Sequence, residues 1–188
     1  MSTNPHYFFA VRLSDTVKQV IHDNIMDLTS IFQFKRWVHM EDYHITLAFL
    51  GSVEEDRLSS VIQLVGDAIK EENSFPLHVE GLDIFGNKRS PRIFWASVKN
   101  ESKLYRLQES VYRQCIEAGF TLESRPYHPH ITLARKWGAD SEFTLEMLER
   151  YNPFRETPAS FQVNEVVLYK TNIEKTPKYE PIASFLMK

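Results

Sequence analysis

Two spacings of apolar residues alternate along this chain. The segment HYFFAVR at 6–12 is aromatic and β-branched, as a half-buried strand requires. Ser14 and Asp15 then supply N-cap chemistry, and Val17, Val20, Ile21, Ile25 and Leu28 recur at helical spacing on one stripe. The same succession returns later. Arg92–Val98 reads as a strand, Asn100 or Ser102 can cap, and Leu104, Leu107, Val111, Cys115 and Ala118 form a second apolar stripe, which makes Cys115 a core residue. A further helix is predicted at Glu54–Lys70, with a shorter counterpart near 144–150. Strands are predicted at Leu77–Phe85, at Phe161–Tyr169 and in the C-terminal YEPIASFLM.

The repetition extends to the letters. HITLA occurs at 44–48 and again at 130–134, an offset of 86. The same shift lays Tyr7-Phe8-Phe9-Ala10 over Ile93-Phe94-Trp95-Ala96, and Phe34 over Phe120. The expected architecture is therefore α+β, a β-α-β-β-α-β unit written twice, forming two pseudo-symmetric lobes around a central cleft. It is a single domain over 1–188 with lobe repeats at approximately 1–86 and 87–188, and Gly86–Pro91 is the expected junction.

Strand alternation assigns the HITLA faces. His44, Thr46 and Ala48 share one face against Ile45, Leu47 and Phe49. In the second copy His130, Thr132 and Ala134 oppose Ile131 and Leu133. If a two-fold axis relates the lobes, two imidazoles and two hydroxyls surround one small group. Imidazole titrates near neutrality, so one copy can accept a proton while the other donates one. That pair suits in-line displacement at phosphorus, and the threonine hydroxyls can hydrogen-bond the non-bridging oxygens. The scheme requires no metal. A lone His-x-Thr is also an ordinary half-exposed strand face; its recurrence in equivalent positions is what points to chemistry.

Composition narrows the partners. The chain has 188 residues, 43% hydrophobic and 25% charged, with a formal net charge of -3 and a pI near 6.2, so it does not coat nucleic acid by overall charge. The single cysteine excludes an internal disulfide framework and fits a cytosolic address. No signal sequence and no apolar run long enough for a bilayer is expected, nor is an obligate protein partner evident. The basic residues Lys35-Arg36, Lys88-Arg89, Arg92, Arg125 and Arg135-Lys136 nevertheless fall near the motifs or the junction, where a local positive potential attracts a phosphate. Any one of them can equally be a solvated loop cation. By alternation Arg135 shares a face with Ile131 and Leu133, so it reaches the cleft only past the strand's end or through a twist.

The doubled motif resembles the two-histidine (2H) phosphoesterase superfamily, marked by His-hydrophobic-Thr/Ser-hydrophobic occurring twice. The chain is more closely similar to the bacterial and archaeal RNA 2′,3′-cyclic phosphodiesterases, long called 2′-5′ RNA ligases. The matching stretches are FFAVRL at 8–13, HITLAFLG at 44–51, IFWASV at 93–98, RPYHPHITLAR at 125–135 and LYKT at 168–171. The resemblance implies metal-independent hydrolysis of a ribose 2′,3′-cyclic phosphate, on an RNA end or nucleotide, to a 2′-phosphate. His44, Thr46, His130 and Thr132 would be the site, His44 protonating the 3′-oxygen and His130 activating water. It also favours Arg135 as a phosphate contact. Trp95, Phe9 and Tyr127 are candidates for stacking on a base.

Rival readings make distinct demands. A metal-dependent hydrolase would gather His39, His44, His128 and His130 as nitrogen ligands and be chelator-sensitive, leaving the doubled threonine unused. A 2H phosphodiesterase acting on a 2′-5′ linkage or a small cyclic phosphate would share the same cleft. A non-catalytic RNA-end or nucleotide-binding module would bind without turnover.

Overall fold

The computed structural model describes residues 5–156 and 158–188. The first repeat runs β1 (His6–Arg12), α1 (Asp15–Met26), β2 (Phe34–Trp37), β3 (His44–Ser52), α2 (Leu58–Ile69) and β4 (Phe75–Asn87). Its β-α-β-β-α-β order is the expected one. The second runs β5 (Ser90–Val98), α3 (Ser102–Glu117), β6 (His130–Trp137), α4 (Glu146–Arg150), β7 (Ala159–Val163), β8 (Glu165–Thr171) and β9 (Tyr179–Leu186). Among the described residues it has no counterpart of β2, and the single strand expected at Phe161–Tyr169 is two, divided at Asn164.

The helices follow the predicted stripes with informative exceptions. Ser14 caps α1 by accepting from the Val17 N–H, and Val17, Ile21 and Ile25 are buried. Val20 is exposed, whereas Lys18 is 2% exposed, its ammonium held 2.9 Å from Glu41 and 3.6 Å from Asp15. The N-cap of α3 is Glu101, accepting from the Lys103 N–H, rather than Asn100 or Ser102. Cys115 lies in the core as expected, and burial pushes its thiol up to about 12.

All the strands join one mixed-order antiparallel sheet, β7-β4-β5-β6-β3-β1-β8-β9, with β2 also on β6. Its two halves, β9-β8-β1-β3 and β6-β5-β4-β7, are mirrored in order about the β3/β6 seam, as a pseudo-two-fold requires. The seam carries one registered pair, Ile45 opposite Ile131. The halves interleave the repeats: β4 of the first repeat pairs with β5, and β8 and β9 of the second stack outside β1. Gly86–Pro91 is accordingly a hairpin turn within one half, with Gly86 opposite Pro91 and Asn87 opposite Ser90, and does not join the lobes. The helical stripes pack with Ile45, Leu47, Ile131 and Leu133 in the main core. Phe8, Ala10, Val167 and Tyr169 form a small cluster on the opposite face.

Candidate active site

Register across the seam assembles the site. In an antiparallel pair centred on Ile45 and Ile131, the flanking positions on the other face are His44 beside Thr132 and Thr46 beside His130. The isoleucines enter the core, so all four polar side chains stand on the cleft face, each half-buried. The two copies also agree atom for atom. His44 Nδ1 lies 2.7 Å from the Asp42 carbonyl, and His130 Nδ1 lies 2.7 Å from the His128 carbonyl. A carbonyl only accepts, so each Nδ1 carries the proton and each Nε2 presents its lone pair to the cleft. His44 Nε2 accepts from the Thr46 hydroxyl at 3.1 Å. His130 Nε2 makes no hydrogen bond among the described residues.

Burial dominates the electrostatics. It lowers His44 from 6.5 to about 4, opposed by the Asp42 hydrogen bond and reinforced by the charges of His130, Arg135 and Lys18. His130 is lowered for the same first reason, with smaller contributions from His128 and Arg135. Both imidazoles are thus neutral at pH 7 in the free protein. A bound phosphate, bringing negative charge, is what would raise one of them into the charged form.

A bulge in each motif strand redirects the residues beyond the threonine. Ala10 faces Thr46, but the preceding residue Phe9 faces Ala48, so β3 contains one extra residue there. Likewise Trp95 faces Thr132 and Phe94 faces Ala134. Leu47 and Ala48, and Leu133 and Ala134, therefore both enter the core, contrary to the alternation that put the alanines on the cleft face. Beyond the bulge the face reverses. Phe49, expected in the core, is 54% exposed, and Arg135 turns to the cleft face, where His44, His130 and Tyr179 feel its charge. Arg135 needs neither the strand's end nor a twist.

The same registers correct the repeat alignment. Arg12 and Ser97, 85 apart, stand opposite His44 and His130, 86 apart. The offset of 86 slips the first strand by one residue, which exchanges its faces. Phe9 corresponds to core Phe94; it is 0% exposed, packs on Phe185 and cannot stack on a base. Its neighbour Phe8 is the cleft-face residue, 4.8 Å from the His44 ring between centroids. Trp95 does face the cleft, 5.7 Å from His130, but it is 3% exposed and lies beneath Phe85, stacked at 4.7 Å. Phe85, half-buried and 4.9 Å edge-on to His130, is the outer ring of that pair. Tyr127 packs against Tyr105 of α3 with a buried hydroxyl, on the helix side of the sheet.

Other expected cations sort by partner. Arg125 is paired with Glu123, and Arg89 with Glu142. The four histidines of the metal reading do not converge: His39 is spent on capping a turn, accepting from the Glu41 N–H, and among the described residues no three His, Cys, Asp or Glu side chains form a ligand set.

Like Phe8 and Phe85, the residues Asp42 and Tyr179 carry no candidate signal in the sequence beyond position. Asp42 is 4% exposed, and its carboxylate accepts from Lys178 N–H at 2.9 and 3.0 Å and from Tyr179 N–H at 3.1 Å. It thereby fixes the start of β9, which sets the Tyr179 ring 5.1 Å edge-on to His44. Burial raises the Tyr179 hydroxyl, and Arg135 pulls it back by charge and a side-chain hydrogen bond. The only sequence signal was position: Asp42 and His128 each precede a motif histidine by two.

Residues 32–173 match the family model described as the 2′-5′ RNA ligase superfamily, a span that contains both motifs and the seam. The chain belongs to that superfamily. It is 45% identical to the RNA 2′,3′-cyclic phosphodiesterase of Geobacillus stearothermophilus over 183 residues, 96% of this chain but 56% of that protein. With the RNA 2′,3′-cyclic phosphodiesterase of Bacillus subtilis (strain 168) it shares 34% identity over 96% of each chain. This superfamily member also has the fold of Escherichia coli LigT crystallised with 3′-AMP, at a TM-score of 0.78 and 22% identity over 99% of each chain. TT0787 of Thermus thermophilus superposes at 0.72, with 23% identity over 97% of each. Both structures share the two-lobe fold. No described helix is long and apolar enough to cross a membrane.

Proposed function

We propose that this chain hydrolyses the 2′,3′-cyclic phosphate of an RNA end or nucleotide to a 2′-phosphate, with His44 and His130 as the acid–base pair. The observation that carries this reading is the Ile45–Ile131 pair, whose register sets two copies of His-x-Thr side by side on one face. The names of the relatives at 45% and 34% identity support the substrate.

In this mechanism the open Nε2 of His130 takes a proton from water as its oxygen attacks phosphorus opposite the 3′-oxygen. The P–O3′ bond breaks, and His44, protonated once the anion is bound, gives its Nε2 proton to the departing O3′. The phosphate stays on O2′. The hydroxyls of Thr46 and Thr132 donate to the non-bridging oxygens, and Arg135 offsets their charge. General acid and general base each contribute typically ~10²–10⁴-fold. Burial lowers both imidazoles in the free protein, so the acid proton reaches His44 only in the complex. Phe85 and Phe49, the outer rings on either side, are the surfaces offered to a base. RNA ends, a cytosolic setting and no metal belong to the same proposal.

Incubation of the protein with 2′,3′-cyclic AMP in excess chelator, followed by identification of the product by ³¹P NMR, tests it. A 2′-phosphate product formed at an undiminished rate is expected. Chelator-dependent turnover would favour the metal reading, and tight binding without turnover the binding-module reading.

A further inference from the structure

A second positive group stands beside the catalytic face at the end of β6. Arg36 of β2 lies directly opposite Arg135 of β6, and Ile93 of β5 flanks Arg135 on the other side. Directly opposed residues of neighbouring strands present their side chains to the same face, ~5 Å apart. The bulge that turns Arg135 to the cleft therefore brings Arg36 with it. Both guanidiniums are exposed, as are Lys35, Lys136 and Arg92 around them, and none of the five forms an ion pair among the described residues.

Like charges directly opposite on a sheet are destabilising. The backbone at the same point is strained as well: Lys136 has φ 63, the left-handed region that a lysine adopts at a cost. Two unfavourable features at one spot, with no ion pair to these side chains among the described residues, match a site completed by a polyanion. Arg135 is committed to the terminal phosphate, leaving Arg36 one strand further out.

We infer that Arg36, flanked by Lys35 and Lys136, holds the internal phosphodiester next to the terminal cyclic phosphate, so that the cleft selects oligonucleotide ends over mononucleotides. This rests on the cyclic-phosphodiesterase reading and deepens it: the ligand is the backbone of single-stranded RNA, and sequence plays no part in its recognition.

The test compares wild type with Arg36→Gln on 2′,3′-cyclic AMP and on the trinucleotide ApApA ending in a 2′,3′-cyclic phosphate. The ratio of kcat/KM for the trinucleotide to that for the mononucleotide should fall about tenfold, the effect of losing one hydrogen bond to a charged group. Fluorescence anisotropy with the labelled 2′-phosphate product RNA, which is not consumed, should show a similar loss of affinity. Its log–log salt slope should be shallower by about 0.7, one phosphate contact on a single strand. The melting temperature should be unchanged or up to about 3 °C higher, because a repulsion is removed. An unchanged ratio, or equal losses on both substrates, would overturn the inference. If wild type cleaves neither substrate, the hydrolase reading fails, and the anisotropy arm decides the inference alone: Arg36→Gln binding the RNA as tightly as wild type would refute it.

Discussion

Replacing Asp42 by alanine should damage the scaffold around His44, the proposed acid, without touching its primary hydrogen bond. The Asp42 carboxylate accepts from two backbone N–H groups, those of Lys178 and Tyr179, at 2.9–3.1 Å. Removing it leaves both without a partner, at ~1–3 kcal/mol each. Lys178 is exposed and Tyr179 half-buried, so water can reach these groups in part and the lower end applies, about 2–3 kcal/mol in all. Unfolding entropy of ~2.1 cal/mol/K per residue over 188 residues makes 1 kcal/mol worth about 2.5 °C. The melting temperature at pH 7, by calorimetry or circular dichroism, should therefore fall by about 5–8 °C. Asp42→Asn retains one acceptor oxygen and should lose about half as much. The Asp42 carbonyl that holds His44 Nδ1 survives both substitutions. Turnover measured well below the melting point should consequently decline through misplacement of Tyr179 and not vanish. A drop of less than about 1 °C for Asp42→Ala would refute the role given to these hydrogen bonds.

The depressed imidazoles give two further expectations. Because the proposed mechanism needs one protonated and one neutral histidine, kcat/KM, which reports the free protein, should be bell-shaped with its maximum between about pH 4 and 6.5, and kcat should peak at higher pH once bound phosphate raises the acid. Coincident maxima would show that the anion does not recruit the proton. For stability, His44 is lowered from 6.5 to about 4, so the folded state binds fewer protons than the unfolded state across that window. Stability from this group is intact above pH 6.5 and is lost as pH falls toward 4, at no more than about 1.4 kcal/mol per pH unit. His44→Asn, whose amide can still donate to the Asp42 carbonyl, should flatten the denaturation free energy over pH 4–6.5 relative to wild type; identical slopes would contradict the shift.

Much of this arrangement is legible in the letters, because local chemistry dictates it. Ser14 caps α1, the stripe through Leu104, Leu107, Val111 and Cys115 is buried, and the doubled HITLA occupies two strands whose isoleucines face the core. What escaped is set by pairing between strands. The alanines of both motifs, Phe49 and Arg135 all change face because of one extra residue after each threonine, and nothing in HITLAF or HITLAR distinguishes a bulge from regular alternation. In β1 too a register one residue off exchanges core for cleft, which leaves the candidate Phe9 in the core and Phe8 on the cleft face. The interleaving of β4 with β5, and of β8 with β1, depends on contacts far apart in sequence. Tyr179 and Asp42 come together across 137 residues of chain, beyond any local pattern.

The most direct test of the central proposal is the rate of 2′,3′-cyclic AMP hydrolysis by His44→Ala, His130→Ala and the double variant, each verified as folded by circular dichroism. If the two imidazoles work as one acid–base pair, each single substitution should cost at least ~10²-fold, and the double variant should be little slower than the worse single one. Turnover near wild type in either single variant, with the 2′-phosphate still formed, would contradict it.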